Sequence, residues 1–295
     1  MKRLWPIAAA LLVASCASQP EPALSSGKEP LNAADNNPVR MERIEEFKTP
    51  LVAKETISFA DGMIDKVVSY TYEDEYSRLV SIVTQKPSSS RIVERIVYAY
   101  SDDRLTSKTT FGTNGLIVST DVYLYDEDGK LIEETILDAR NQTQSVSKWT
   151  WDHGRKLSWR VYSGADALQA RTDYVYDGEI LKTARLFDGS GIDKGRIEYL
   201  YRHDGALMRL DYFNAAGGHD GRTEYTLIDD LVGNRVGQER AYRADGRLER
   251  RLDFFYSPDG ALIKKTLADS GGRVRETIVY ENAYRTDTRT IIYYQ

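Results

Sequence analysis

The stretch YLYDEDGKL, residues 123–131, decides how the rest of the chain is read. Two tyrosines stand two positions apart, an acidic turn with glycine follows, and a leucine opens the next segment. Residues two apart in an extended chain share a face, and Asp followed by Gly marks a tight turn. The stretch reads as the end of one strand, a turn, and the start of the strand that returns.

The unit recurs. Its second aromatic is Tyr72, Tyr100, Tyr125, Trp151, Tyr176, Tyr201, Tyr256 and Tyr280, with Tyr225-Thr226-Leu227 in a degenerate copy, and successive copies lie 24 to 29 residues apart. The leucine after the turn recurs as Leu79, Leu105, Leu131, Leu157, Leu181, Leu207 and Leu262, with Val236 in the degenerate copy. Two rows with one period mark a repeat architecture. Each period holds a second turn, as in FGTNG, LFDGSG, FNAAGG, YRADG and LADSGG. Between turns lie segments of seven to ten residues that alternate apolar and polar and are rich in Tyr, Val, Ile, Thr and Arg. This is hairpin after hairpin, without the i, i+3, i+4 spacing of a helix. The expected fold is all-β: a long antiparallel meander of tandem hairpins, with roughly 17 to 19 strands from about residue 51. Accumulated twist should curl or roll so large a single sheet.

Alternation sorts the faces. Tyr98 with Tyr100, Tyr123 with Tyr125, Trp149 with Trp151, Tyr174 with Tyr176, and Phe254 with Tyr256 stack on one side. The other side carries an acid row (Asp173, Glu198, Glu224, Asp253) and an arginine row (Arg171, Arg196, Arg222, Arg251, Arg275). Burying one ring contributes about 2–3 kcal/mol, whereas an exposed ion pair contributes at most about 1 kcal/mol. The aromatic face should therefore line the inside of the roll, with the charges in water.

Composition places a boundary near residue 50. Tyrosine occurs 20 times but never before Tyr70, while six of the eight prolines precede residue 51. The first 16 residues, MKRLWPIAAALLVASC, have a positive end (Lys2, Arg3) and an apolar core (Ile7 to Ala14) too short to span a bilayer. The run V-A-S-C resembles the bacterial lipobox. The resemblance implies cleavage after residue 15 and diacylglycerol on Cys16, the one cysteine of the chain. Ala17 after it implies, by that family's sorting rule, the outer membrane. The expected domains are 1–15 signal peptide, 16–50 lipidated cysteine and Pro-rich tether, and 51–295 repeat domain. MERIEEF, residues 41–47, fits a helical turn or a first strand. A lone cysteine excludes an intrachain disulfide and a four-thiolate metal site.

Y-x-Y-D-x-x-G-x-L, as in YLYDEDGKL, resembles the tyrosine-aspartate (YD) repeats of Rhs-type bacterial envelope proteins. The DG-x-L half resembles MORN-type repeats. The likeness runs over about residues 57–283 and implies a spiralling antiparallel sheet of hairpins.

No pattern names a reaction. His153, His203 and His219 fall in expected turns (WDHG, YRHDG, GGHDG). Glu133 with Glu134, and Asp229 with Asp230, are neighbours that point to opposite faces of a strand. There is no H-E-x-x-H, G-x-S-x-G or phosphate loop. Trp149, Trp151 and Trp159 either continue the tyrosine ladder or form a platform for sugar rings or apolar ligands. The formal charge of −5, which becomes −7 once Lys2 and Arg3 leave with the signal, gives no footprint for nucleic acid. A membrane-spanning barrel is disfavoured, because one face carries the charge rows and the other would place Asp121, Ser147 and Glu276 in lipid. The expectation is a non-enzymatic, lipid-anchored envelope protein, without cofactor or metal, whose repeat sheet is a binding or scaffolding surface for an envelope protein or glycan. The alternatives are a carrier or chaperone for an apolar ligand or glycan held on the aromatic face, and an envelope enzyme acting on polysaccharide. The final segment TRTIIYYQ, residues 288–295, is expected to leave a sheet edge open to self-association.

Overall fold

In the computed structural model, residues 40–73, 78–230 and 233–294 are described. They form eighteen antiparallel strands and no helix. The first half comprises β1 (Arg40–Phe59), β2 (Ile64–Tyr72), β3 (Leu79–Lys86), β4 (Arg91–Ser101), β5 (Arg104–Phe111), β6 (Ile117–Tyr125), β7 (Leu131–Asp138), β8 (Thr143–Asp152) and β9 (Arg155–Ser163). The second half comprises β10 (Leu168–Asp177), β11 (Ile180–Asp188), β12 (Asp193–Tyr201), β13 (Leu207–Phe213), β14 (His219–Asp230), β15 (Gly233–Arg243), β16 (Leu248–Tyr256), β17 (Leu262–Asp269) and β18 (Val274–Tyr294). Each strand pairs with its neighbours in sequence, as the repeat predicts.

The sheet does not stay open. β18 pairs with β1, so residues 44–289 close into a barrel. Across the seam Lys54 meets Glu281 at 2.8 Å, Thr49 donates to Asp287 at 2.5 Å, and Arg289 meets Glu45 at 3.0 Å. Ile57 of β1, Val68 of β2, and Ile278 and Tyr280 of β18 pack there as a buried apolar cluster, joined by Val52, Tyr70, Ile82 and Leu262. The open C-terminal edge expected from the sequence is thus occupied by β1. β1 itself begins at Arg40, so the tether boundary at residue 50 falls inside a strand, and MERIEEF takes the first-strand alternative.

The turns set the register. Asp126 N–H donates to Lys130 and Gly129 N–H donates back to Asp126, and the same pair of bonds recurs at 138–142, 188–192, 214–218 and 269–273. This is a type I turn closed by a residue in the left-handed region, here Gly129 at φ 81° or Asn141 at φ 60°. The leading Asp or Asn caps the turn: Asp188 accepts the N–H of Ser190 and of Ile192, each at 3.0 Å. At 152–155 a two-residue turn places His153 and Gly154 at φ 46° and 83°.

Each sequential strand pair also carries one register shift, and in the repeat unit it falls at the second aromatic. Tyr100 pairs with Leu105, Tyr125 with Leu131, Tyr201 with Leu207, and Tyr256 with Leu262, each just past a bulge. A bulge leaves backbone groups outside the ladder and turns the leucine onto the aromatic's face. The next repeat answers the carbonyl. Tyr100 Oη donates to Leu79 O at 2.8 Å, Tyr256 Oη to Val236 O at 2.9 Å, and Trp151 Nε1 to Leu131 O at 2.8 Å. Tyr72, Tyr176 and Asn282 do the same to Val52, Lys156 and Leu262.

The aromatic face is the inner wall and the charge rows are outside. Tyr280 is 9% exposed, whereas Leu124 and Val175, the middle residues of their Y-x-Y units, are 54% and 47% exposed. Outside, Arg171, Arg196 and Arg222 each pair with the acid two residues on, at 3.2, 2.7 and 2.6 Å. Each also lies over a ring of the next strand: Phe187, Phe213 and Tyr242, at 4.2, 4.2 and 4.3 Å.

If the tyrosine hydroxyls close the bulges, then Tyr100→Phe and Tyr256→Phe should each lower stability by about 1–2 kcal/mol in urea unfolding, since a half-buried carbonyl loses its donor. The double variant should add, because the two bonds sit far apart along the repeat. A change under a few tenths of a kcal/mol would show the bonds to be dispensable.

Candidate functional site: the aromatic inner wall

Eighteen strands about 4.8 Å apart give a perimeter of roughly 86 Å, so a round section would be on the order of 27 Å across. Side chains from opposite walls do not fill such a width, and barrels of 16–18 strands leave a channel. The burial agrees: among the described residues no large side chain is fully enclosed. The rings of the inner wall are half-buried, as side chains lining a section of that width would be. Burial pushes the Tyr174 hydroxyl up to about 12 and raises those of Tyr123, Tyr199 and Tyr225 further, so these groups stay protonated donors.

Trp149, Trp151 and Trp159 lie in this wall and continue the tyrosine ladder. Trp149 pairs with Trp159, and Trp151 with Lys156. The N–H of Trp151 is committed to Leu131, and Trp159 Nε1 is enclosed without an acceptor. Only ring faces are left to act. Lys156 occupies them: its Nζ lies 5.2 Å from the Trp151 ring and 6.0 Å from both Trp149 and Tyr174. By parity Lys156 and Trp159 should face opposite ways. The bulge at Leu157, between the pairs Thr150–Ser158 and Trp151–Lys156, turns the lysine inward. Burial lowers its pKa. Reading the faces by alternation missed Lys156, because what re-aims it is a register shift between two strands.

A second polar group stands on β5, β6 and β7. Lys108 pairs with Asp121, which is 5% exposed, and Tyr98 and Glu134 flank them in register. Burial first, then Asp121, raises the pKa of Glu134, while Lys108 and a hydrogen bond from Tyr123 oppose the rise. Glu133 turns outward to Lys148 at 3.5 Å, so the neighbouring glutamates do part company as expected. A third acid, Glu55, accepts the Tyr70 hydroxyl at 2.8 Å.

The histidines assemble nothing. His153 is an exposed turn residue bonded to Asp152 at 2.7 Å, and His203 is exposed in its turn. His219 differs from expectation. It opens strand β14 rather than sitting in the turn, edge-on to Phe213 at 5.5 Å, because the turn closes at Gly217 and Gly218. Among the described residues no cluster of His, Cys, Asp and Glu could hold a metal ion. Cys16 and the signal lie outside the described residues.

Residues 25–188 match the model of a protein family described as "Uncharacterised protein". No curated protein matches the chain. A porin-like protein from Bacteroides uniformis is similar at 12% identity and a TM-score of 0.41, over 82% of this chain and 96% of that one. A porin-like protein from Bacteroides vulgatus is similar at 10% identity and a TM-score of 0.26, over 78% and 97% of the two chains. The Tc holotoxin pore of Photorhabdus luminescens is similar at 12% identity and a TM-score of 0.21, over 74% of this chain and 15% of that one. At such values the likeness carries no argument about function.

Glu134 and Lys156, both half-buried, should titrate against the fold in opposite windows. Glu134 has a raised folded pKa, so its ionisation costs stability at neutral pH. Glu134→Gln should stabilise there, and the gain should shrink as the pH falls through the raised folded value and be gone by the ordinary carboxyl range. Lys156 has a lowered folded pKa, so its charge costs stability until the pH rises into the lysine range. Lys156→Met should raise the melting temperature at pH 7 and lose that advantage near pH 11. Melting curves across pH test both signs.

Proposed function

The chain belongs to the family whose model spans its residues 25–188, and we propose that it is a lipid-anchored envelope protein whose barrel binds saccharide chains on its inner wall. One observation carries the proposal: the inner wall is aromatic and polar at once. Ring faces at Trp149, Trp151 and Tyr174 stand beside tyrosine hydroxyls and the ionisable groups Lys156, Asp121, Glu134 and Glu55. A sugar presents an apolar ring face and a rim of hydroxyls, so it matches both. A purely apolar ligand would leave those charges facing hydrocarbon, at a cost of several kcal/mol.

The anchor half of the proposal rests on Lys2, Arg3, the apolar run to Ala14, and Cys16. The outer wall agrees with an anchored barrel standing in water. Arg171, Arg196, Arg222 and Arg251 lie on its outer face, and an arginine at the bilayer midplane costs about 2–4 kcal/mol. Acyl chains on Cys16, not the strands, would then hold the protein at the outer membrane.

A second reading has one observation in its favour. Glu134 holds its proton more tightly than usual while Asp121 is ion-paired to Lys108, and a pair so differentiated is what glycoside hydrolysis uses. Binding without chemistry remains the proposal. Lys108 occupies Asp121, the carboxylate that would have to act as nucleophile.

Titration of the full chain with neutral and acidic hexasaccharides, followed by tryptophan fluorescence, tests the proposal. The emission should shift on binding, and Trp149→Ala should weaken affinity at least about fivefold, as losing a contact of about 1–3 kcal/mol would. Silence with every saccharide would overturn it. New reducing ends, lost in Glu134→Gln, would establish the enzyme instead.

A further inference from the structure

The inner wall answers two of its cations with acids. Lys108 pairs with Asp121, and Arg250 lies 3.4 Å from Glu239. Lys156 is answered by rings. Among the described residues its Nζ has no carboxylate within ion-pairing distance; Trp151, Trp149 and Tyr174 surround it at 5.2, 6.0 and 6.0 Å. Cation–π contact returns about 0.5–2 kcal/mol and leaves the charge formally unneutralised. The bulge at Leu157 aims this lysine into the lumen, where a straight strand would have turned it to the outer wall beside Ser158. The wall therefore holds a half-buried cation whose missing counterpart lies on the open side.

We propose that Lys156 is the specificity residue for an anionic sugar, one whose ring stacks on Trp149 or Trp151 and whose ring-borne carboxylate pairs with Nζ. The inference rests on the lumen-binding reading and adds the ligand's charge to it. The chemistry is that of a uronic acid. The carboxylate supplies the oxygen partner that the aromatic box lacks, and the box supplies the apolar face that a pyranose ring needs. Lys156 brings a neutral sugar no such gain.

Hexagalacturonate and its methyl ester share one sugar chain, the ester exchanging each carboxylate charge for a methyl group, and both can be titrated into the full chain. The acid should bind about tenfold or more tightly than the ester, the size of one charge-assisted contact. Lys156→Met should bring that ratio to about one, chiefly by weakening the acid, and Lys156→Arg should keep the preference. Equal binding of acid and ester by the native chain would overturn the role of Lys156 and leave lumen binding standing. A preference that persists in Lys156→Met would also overturn it. Binding of neither form would overturn it together with the lumen reading. Circular dichroism of each variant separates these outcomes from misfolding.

Discussion

The barrel depends on a hydrogen bond that recurs in most of its periods, from Tyr72, Tyr100, Trp151, Tyr176, Tyr256 and Asn282. Where the return strand begins, a bulge leaves the carbonyl of Leu79, Leu131 or Val236 outside the ladder, and the second aromatic of the next unit donates to it. An unpaired backbone carbonyl in a half-buried wall costs about 1–3 kcal/mol. The Y-x-Y motif is therefore more than a hydrophobic stripe. Its first ring covers the wall, and its second ring locks one hairpin to the one before. Tryptophan serves at 151 and asparagine at 282 because the requirement is an N–H or O–H donor at the right reach.

The bulges that create this need also build the lumen. Each turns the strand and increases its twist, and one per strand pair, repeated through seventeen pairs, brings β18 round to β1. The seam is where apolar burial concentrates, at Ile57, Val68, Ile278 and Tyr280. Elsewhere the wall is one layer thick, held by ladder bonds and by rings lying against small residues such as Ala184, which is 1% exposed. A wall so built is stable without a filled interior and leaves its inner face available.

The outer wall solves a different problem. Arg171, Arg196 and Arg222 each lie between an acid on their own strand and a ring on the next, as Arg196 does between Glu198 and Phe213. Charge covers aromatic surface and keeps the convex face wet. The signal was in the sequence, since Phe111, Phe187, Phe213 and Tyr242 each stand at the start of the second turn. The two-residue period assigned the arginines to their face, but it says nothing of the ring across the strand.

The hairpins, their number, their turns and the two faces were legible in the amino-acid order alone. These follow from alternation and from Asp, Asn and Gly at fixed offsets, which act over a few residues. Two things were decided only by the tertiary structure. The first is closure: Glu45 and Arg289 are 244 positions apart, and their meeting is the sum of many small rotations that no local pattern records. The second is which side chains the bulges re-aim. Parity places Lys156 opposite Trp159, and one extra residue at Leu157 puts both in the same wall. Local chemistry wrote the strands, while accumulated twist and displaced register made an inside and chose what faces it.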